Sequence, residues 1–327
     1  MKILTILRRS AFLAGMHVAV AAASLMMFGL PLAAAEELRS VFSTLGTNSG
    51  PIPNPNRSEP ANFVRYGDQA ILVDAGDGAA EQLAKIGVPL GAVQSVLISH
   101  LHFDHTGGLF AFLSMRYQSI NPGIVTIYGP PGTKRTVDAL VAAMQPATEV
   151  WESKRMRALG LPQASVKVIE MSDGSKATIG KIVITAATNS HYSHTNDKQI
   201  LSLAFRFDMP DRSIVYTGDT GPSDNVEKLA QNVDLLVSEI MDPEASVSVL
   251  KKARPEIPAI AWLAVEAHFR KEHLSPTEVG LMAKRANAKA VVLTHNAIAR
   301  EGLAKARSEI GAKYGGPITF AEDLDKF

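Results

Sequence analysis

Apolar residues run along this chain mostly in short blocks bounded by Gly, Pro, Asn and Asp, and in fewer places at the three- and four-residue spacing of helices. Positions 38–46 read as a strand leading into a Pro- and Asn-rich loop, 47–60. Segments 62–66 and 70–73 read as a strand pair across the turn Gly67-Asp68. Helical spacing follows over 78–86, and 95–99 is a short buried strand. The middle, 109–160, reads as mostly helical, broken by a strand at 124–128 and the turn Gly129-Pro130-Pro131-Gly132. Strands return at 166–170, 181–186, 201–207 and 213–217. The last third alternates helix 224–231, strand 235–238, helix 276–286 and strand 290–293. Ser275-Pro276-Thr277-Glu278 opens its helix with a capping Ser, Pro at the first helical position and Glu at the third. Strand groups in both halves with helices between them predict two sheets packed face to face, with helices outside.

The first 35 residues stand apart from this pattern. Lys2, Arg8 and Arg9 precede an apolar run over 11–30, then Pro31 and Ala33-Ala34-Ala35. A charged start, an apolar middle and a small-residue end make a secretory signal, 1–35, ahead of a single mature domain, 36–327. An uncleaved anchor is the alternative. The paired Arg8-Arg9 before Ser10-Ala11-Phe12-Leu13 also resembles a twin-arginine export signal. The expected location is periplasmic or secreted.

Removing that segment changes the charge. Without Lys2, Arg8 and Arg9 the 33 basic residues fall to 30 against 32 acidic ones, a net of −2. Such a balance argues against broad nucleic-acid binding. No second stretch is long and apolar enough to span a bilayer, and a homo-oligomer is compatible with the sequence. At 46% hydrophobic and 20% charged residues, the chain is neither a disordered tail nor a collagen-like repeat. It has no cysteine, so any metal site must use His, Asp or Glu.

The informative segment is His100-Leu101-His102-Phe103-Asp104-His105, after the apolar strand Val96-Leu97-Ile98. It holds three of the nine histidines of the chain. On an extended loop His100 and His102 project to one side, because side chains alternate with period two. Asp104 and His105 come as the chain turns into a helix and can address an adjacent point. Four ligands in so short a stretch suffice for part of two metal sites. Imidazoles with one carboxylate favour zinc, with iron or manganese as alternatives.

This His-x-His-x-Asp-His segment resembles the metallo-β-lactamase superfamily of binuclear metallohydrolases. The resemblance implies an α/β (α+β) class and a four-layer αββα sandwich of two mixed sheets flanked by helices. Val73-Asp74-Ala75-Gly76 looks like the family motif whose Asp braces the metal loop, and Thr217-Gly218-Asp219-Thr220 like the one supplying the bridging carboxylate. Leu293-Thr294-His295 looks like the closing motif that ends in the last His ligand. Without the family, Asp74 is either a hydrogen-bond acceptor for the metal loop or an ordinary turn residue. Asp219 is a ligand or a capping Asp, and His295 a ligand or a buried His with a backbone partner. Asn189-Ser190-His191-Tyr192-Ser193-His194 offers two candidates, of which His191 stands nearer the strand end and better fits the family's Asn-x-His pattern. The resemblance then assigns one zinc to His100, His102 and His191, and a second to Asp104, His105 and His295, bridged by Asp219.

Within the superfamily, the absence of Cys excludes the β-lactamases that use a Cys ligand. Asp104 as ligand and the late His295 match the branch of ribonuclease Z, arylsulfatases and related phosphodiesterases. Ser238-Glu239 and His273-Leu274-Ser275-Pro276 look like further elements of that branch. They suggest His273 as a substrate contact or proton donor oriented by Glu239, beside Asp74 and Asp104 in the catalytic set; a helix-flanking surface His is the alternative for His273. His268 is expected to be structural or to support the ligands. The implied chemistry is attack on a phosphodiester or related small ester by a metal-bound hydroxide. Cys-free β-lactamases and lactonases share the ligands, so a cyclic amide or ester is the alternative substrate. A metal-containing binding protein without turnover is the alternative of another class. The family's tRNA-processing members carry a Gly- and Pro-rich arm with no clear equivalent here, so a small-molecule ester is expected and nucleic acid is not. The loop 48–60 and the middle residues Met115, Arg116, Tyr117 and Trp151 are expected to wall the pocket.

Overall fold

The computed structural model describes residues 39–119, 123–150, 160–195 and 197–327; the expected leader, 1–35, and Trp151 lie outside them. Among the described residues, strands form two sheets. The first runs β1-β2-β3-β4-β5-β6, from Ser40–Gly46 through Ala61–Tyr66, Gln69–Ala75, Ser95–Leu97 and Val125–Gly129 to Val166–Glu170. The second comprises β7 (Lys176–Ile179), β8 (Ile182–Thr188), β9 (Leu203–Asp208), β10 (Ser213–Tyr216), β11 (Leu235–Ile240), β12 (Val291–Asn296) and β13 (Ile318–Phe320), also adjacent in chain order. Both sheets are mixed. Turns or loops without helices join the antiparallel strands β1–β3 and β7–β10, whereas helical crossovers make β3–β6 and β10–β13 parallel.

Three apolar layers hold the sandwich together. Phe42, Val64, Ile71 and Val73 of the first sheet meet Ile184, Phe205, Phe207 and Tyr216 of the second. On the outer side of the first sheet, Phe63, Leu72 and Val96 pack on helices α1 (Ala79–Lys85), α3 (Leu109–Gln118) and α4 (Thr133–Ala143), chiefly through Leu83, Leu109, Phe112 and Val137, with the short α2 (Phe103–Thr106) between α1 and α3 in the chain. Beyond α4 lies the short α5 (Gln145–Glu149). The second sheet buries Val215, Leu236 and Leu293 against Val226 of α6 (Asp224–Leu229) and other residues of the outer helices. Successive residues of β3 and β10 serve different layers, because side chains alternate across a sheet. That double burial explains why both strands read as unbroken apolar runs.

Two helices escaped the sequence pattern, α7 (Pro243–Ala253) and α8 (Ala259–Glu272). They pack on each other, and each buries few residues: Pro243 and Val247 in one, Trp262 and Glu272 in the other. α7 mixes its apolar residues with Ser and Lys, and α8 is apolar on several sides of its first half, so neither pattern was read as a core-facing helix. The next helix, α9 (Pro276–Arg285), has the expected start, with a complete capping box between Ser275 and Glu278. The last, α10 (Leu303–Gly311), and the edge strands β7 and β13 were also unforeseen. Among the described residues no helix is long and apolar enough to cross a membrane.

Candidate active site

The expected site residues gather where strands end. Asp74 closes β3, the segment from His100 follows β4, His191 follows β8, Asp219 follows β10, and His295 lies at the end of β12. Such ends are where α/β sheets open a crevice for ligands. The chain turns sharply at these points. Asp74 and His295 take left-handed backbone angles, φ 58° and 43°, which cost free energy for residues with a Cβ and concentrate at functional sites. Asp104 comes so near Gly76 that a Cβ there would lie 2.2 Å from its carbonyl oxygen, so only Gly fits.

One group is built of three imidazoles. His102 Nδ1 lies 3.1 Å from His100 Nε2 and 3.2 Å from His191 Nε2. The other Nδ1 atoms are engaged, His100 with Ser99 Oγ at 3.0 Å and His191 with the Glu272 carbonyl at 3.0 Å. Burial holds the His100 pKa well below the ordinary imidazole range, with His105 acting in the same direction. It pushes His191 down to about 3. Both rings are neutral, the form in which nitrogen binds a metal.

The second group joins Asp104, His105, Asp219 and His295. Asp219 presents Oδ1 to His105 Nε2 at 3.3 Å and Oδ2 to His295 Nε2 at 3.3 Å. Its Oδ2 is also 4.0 Å from His100 Nε2, so Asp219 stands between the two groups. Burial opposes its negative charge, but His295 and His105 outweigh burial and hold its carboxyl well below the usual range. His105 is likewise buried, yet Asp219 and Asp74 raise it well above the imidazole norm.

Asp74 braces this arrangement. It accepts from Ser99 N at 2.7 Å, Ser99 Oγ at 2.8 Å, His105 Nδ1 at 2.8 Å and Tyr216 OH at 2.8 Å. With Nδ1 so engaged, His105 is left with Nε2 toward Asp219. His105 Nε2 and Asp219 Oδ1 face each other at 3.3 Å, fully buried yet not aligned as a hydrogen bond. Converging nitrogens and carboxylate oxygens with such orphaned atoms suit a divalent cation.

His191 and His194 separate clearly. His191 joins the three-imidazole group, while His194 lies outside it, with Nδ1 2.9 Å from Glu272 Oε1. The other oxygen of Glu272 holds His268 Nδ1 at 2.7 Å. His273 places Nδ1 2.8 Å from Glu239 Oε2, and Glu239 Oε1 accepts from Thr220 N at 2.6 Å. Burial disfavours a charged His273, but the Glu239 carboxylate pushes it up to about 9. His191, Asp219 and His273 also lie within ligand distance of one another.

Both groups face a cavity of about 470 Å³. Ser49, Gly50, Pro51, Ile52 and Arg57 of the long loop line it, as expected. Met115, Arg116 and Tyr117 do not line it. Helix α3 turns Arg116 and Tyr117 inward, with Tyr117 in the core beside the first sheet, and Met115 is exposed. The unforeseen α7 and α8 supply Ala245, Val249, Leu250, His268 and Phe269 to the wall instead.

Residues 69–296, more than half of the chain, match the family model described as the beta-lactamase superfamily domain. The chain belongs to the metallo-β-lactamase superfamily.

This superfamily member is a hydrolase with a divalent-metal site. It is 28% identical over 290 residues to "Ribonuclease Z" of Mycobacterium bovis, covering 87% of this chain and 96% of that one. The protein of the same name from Mycobacterium avium is 29% identical over 287 residues, covering 86% and 95%. Two solved structures share the fold. The metallo-beta-lactamase fold protein YhfI of Bacillus subtilis has a TM-score of 0.62 at 21% identity, covering 88% of this chain and 98% of that one. The short form of human tRNase Z has a TM-score of 0.60 at 22% identity, with coverages of 88% and 98%.

Several contributors to the superfamily site were invisible in the sequence. Tyr216 reads as one more strand residue, and only the packing of the two sheets brings its hydroxyl to Asp74. Glu59 is buried in the loop, accepting from Asn48 on Oε1 with no hydrogen-bond partner on Oε2. A Cβ on Gly50 would meet that Oε2 and Asp104 Oδ2 alike at 2.6 Å. The residues around Glu59 carried no signal of this.

Proposed function

We propose that this chain is an exported, binuclear metal-dependent hydrolase of a phosphodiester or related small ester. The observation that carries the proposal is the pair of adjoining ligand groups with Asp219 between them, beside a cavity wall that includes His273. His100, His102 and His191 would hold one ion, Asp104, His105 and His295 the other, and Asp219 would bridge them. Zinc suits these donors, with iron or manganese as alternatives. When bound, such ions polarise an ester oxygen and bring the pKa of water toward neutrality.

The chain's own residues prepare the site for that chemistry. Asp74 fixes the ring of His105, and the Glu272 carbonyl fixes that of His191. Glu239 orients His273 through Nδ1, leaving Nε2 to donate a hydrogen bond to an anionic substrate oxygen or a proton to the departing alcohol.

The choice of a small ester over RNA rests on charge. Among the described cavity-lining residues Arg57 alone is Lys or Arg, and its guanidinium donates to the carbonyls of Thr47 and Asn296. The relatives' name points to RNA, so a tRNA belongs among the test substrates. A lactone or β-lactam is the second choice, favoured by the apolar part of the cavity wall. Export rests on Lys2, Arg8, Arg9, the apolar run and the Ala33-Ala34-Ala35 end.

The decisive experiment offers metal-analysed protein a phosphodiester, a sulfate ester, a lactone, a β-lactam and a tRNA. Phosphodiester turnover with about two metal equivalents supports the proposal. Efficient lactone or β-lactam cleavage with no phosphodiester turnover would put the second choice in its place.

A further inference from the structure

The cavity has an uneven lining. Metal-type ligands occupy one part, whereas Val249 and Leu250 of α7 and Phe269 of α8 make an apolar wall, with Ile52 and Phe103 also lining it. Phe103 is 86% exposed, Ile52 67% and Val249 64%. A single exposed apolar side chain needs no explanation, but several around one opening mark a binding surface. The carboxylates in the lining are Asp104 and Asp219, both in the ligand groups, and the one guanidinium is engaged by backbone carbonyls. Among the described residues of this lining, a second anionic group would find no unengaged Lys or Arg, whereas an alkyl or aryl group would find these five large apolar side chains. Because wall and ligands share one cavity, the apolar group must belong to the molecule whose reacting group meets the ligands.

We propose that the substrate is an ester with one apolar arm, alkyl or aryl, which lies along Val249, Leu250 and Phe269 with Ile52 and Phe103 at the opening. The proposal rests on the hydrolase function above and adds the chemistry of the arm.

The test uses the full chain loaded with zinc and two matched series. One is the methyl, butyl and octyl 4-nitrophenyl phosphodiesters; the other is the corresponding alkylphosphonates, bound without turnover and followed by calorimetry. Burying each added methylene should raise kcat/KM and lower the phosphonate Kd by roughly two- to fourfold until the wall is covered. Val249→Asp and Ile52→Asp change exposed positions on two different elements, so the fold should survive, and each should flatten both series. If no phosphodiester is cleaved but phosphonate affinity still climbs with chain length, the arm stands and the phosphodiester assignment falls. Phosphodiesters cleaved equally well at all lengths, with flat phosphonate affinities, overturn the arm and leave the hydrolase intact. A chain-length gain that persists unchanged in both variants overturns its placement on this wall.

Discussion

The Asp74 carboxylate and the His105 imidazole stand 2.8 Å apart, Oδ2 to Nδ1, and this contact ties the metal loop to the end of β3. Through Tyr216 OH the same carboxylate reaches the second sheet. One buried anion thus takes hydrogen bonds from donors on both halves of the sandwich.

Replacing Asp74 by Ala should therefore damage metal binding and stability together. Metal affinity should fall roughly ten- to a hundredfold, as when the partner of a ligating His is lost. Buried donors left without an acceptor cost about 1–3 kcal/mol each. Tyr216→Phe removes a single donor and should cost only about 1 kcal/mol. Metal titration and denaturant unfolding would measure both effects, and an Asp74→Ala protein with unchanged affinity would refute the bracing role.

His191 and His194 make a paired test of the ligand assignment. His191→Ala should lower metal content, because its Nε2 belongs to the three-imidazole group. His194→Ala should leave content unchanged, because its Nδ1 is engaged by Glu272 outside that group. Elemental analysis with the opposite outcome would reverse the assignment.

Asp219→Ala should abolish turnover of every substrate and reduce metal content from about two equivalents to one or fewer, since the proposed bridge is lost. Asp219→Ala protein that keeps two equivalents would show that the ions are held independently.

His273→Ala should lower turnover by roughly ten- to ten-thousand-fold while sparing metal content. Because the substitution leaves Glu239 buried beside an empty space, a His273→Gln variant is needed to separate chemistry from folding. Full phosphodiesterase activity in a folded variant would end the role given to His273. Parallel loss of metal in both variants would make it a ligand, as its proximity to His191 and Asp219 allows.

Export predicts a mature terminus at Glu36, after Ala33-Ala34-Ala35. Mass spectrometry of protein from the cell envelope would show it. An intact Met1 on soluble cytoplasmic protein would instead reopen intracellular substrates, RNA among them.

The sequence by itself determined the two-sheet architecture, the metal loop and the strand ends that carry Asp74, Asp219 and His295. Those features are local: short apolar blocks, Gly turns, and four ligand-type residues from His100 to His105 whose alternation already directs them. It did not reveal α7 and α8, which bury only two residues each and so are tied only weakly to the core pattern, and the apolar wall went unseen. The sequence already favoured His191, but its meeting with His102, the clamp of Glu272 on His194 and His268, and the meeting of Tyr216 with Asp74 came from tertiary structure alone. Each depends on groups far apart in the chain, Tyr216 and Asp74 being 142 residues apart, that only the packing of the layers brings within hydrogen-bonding distance.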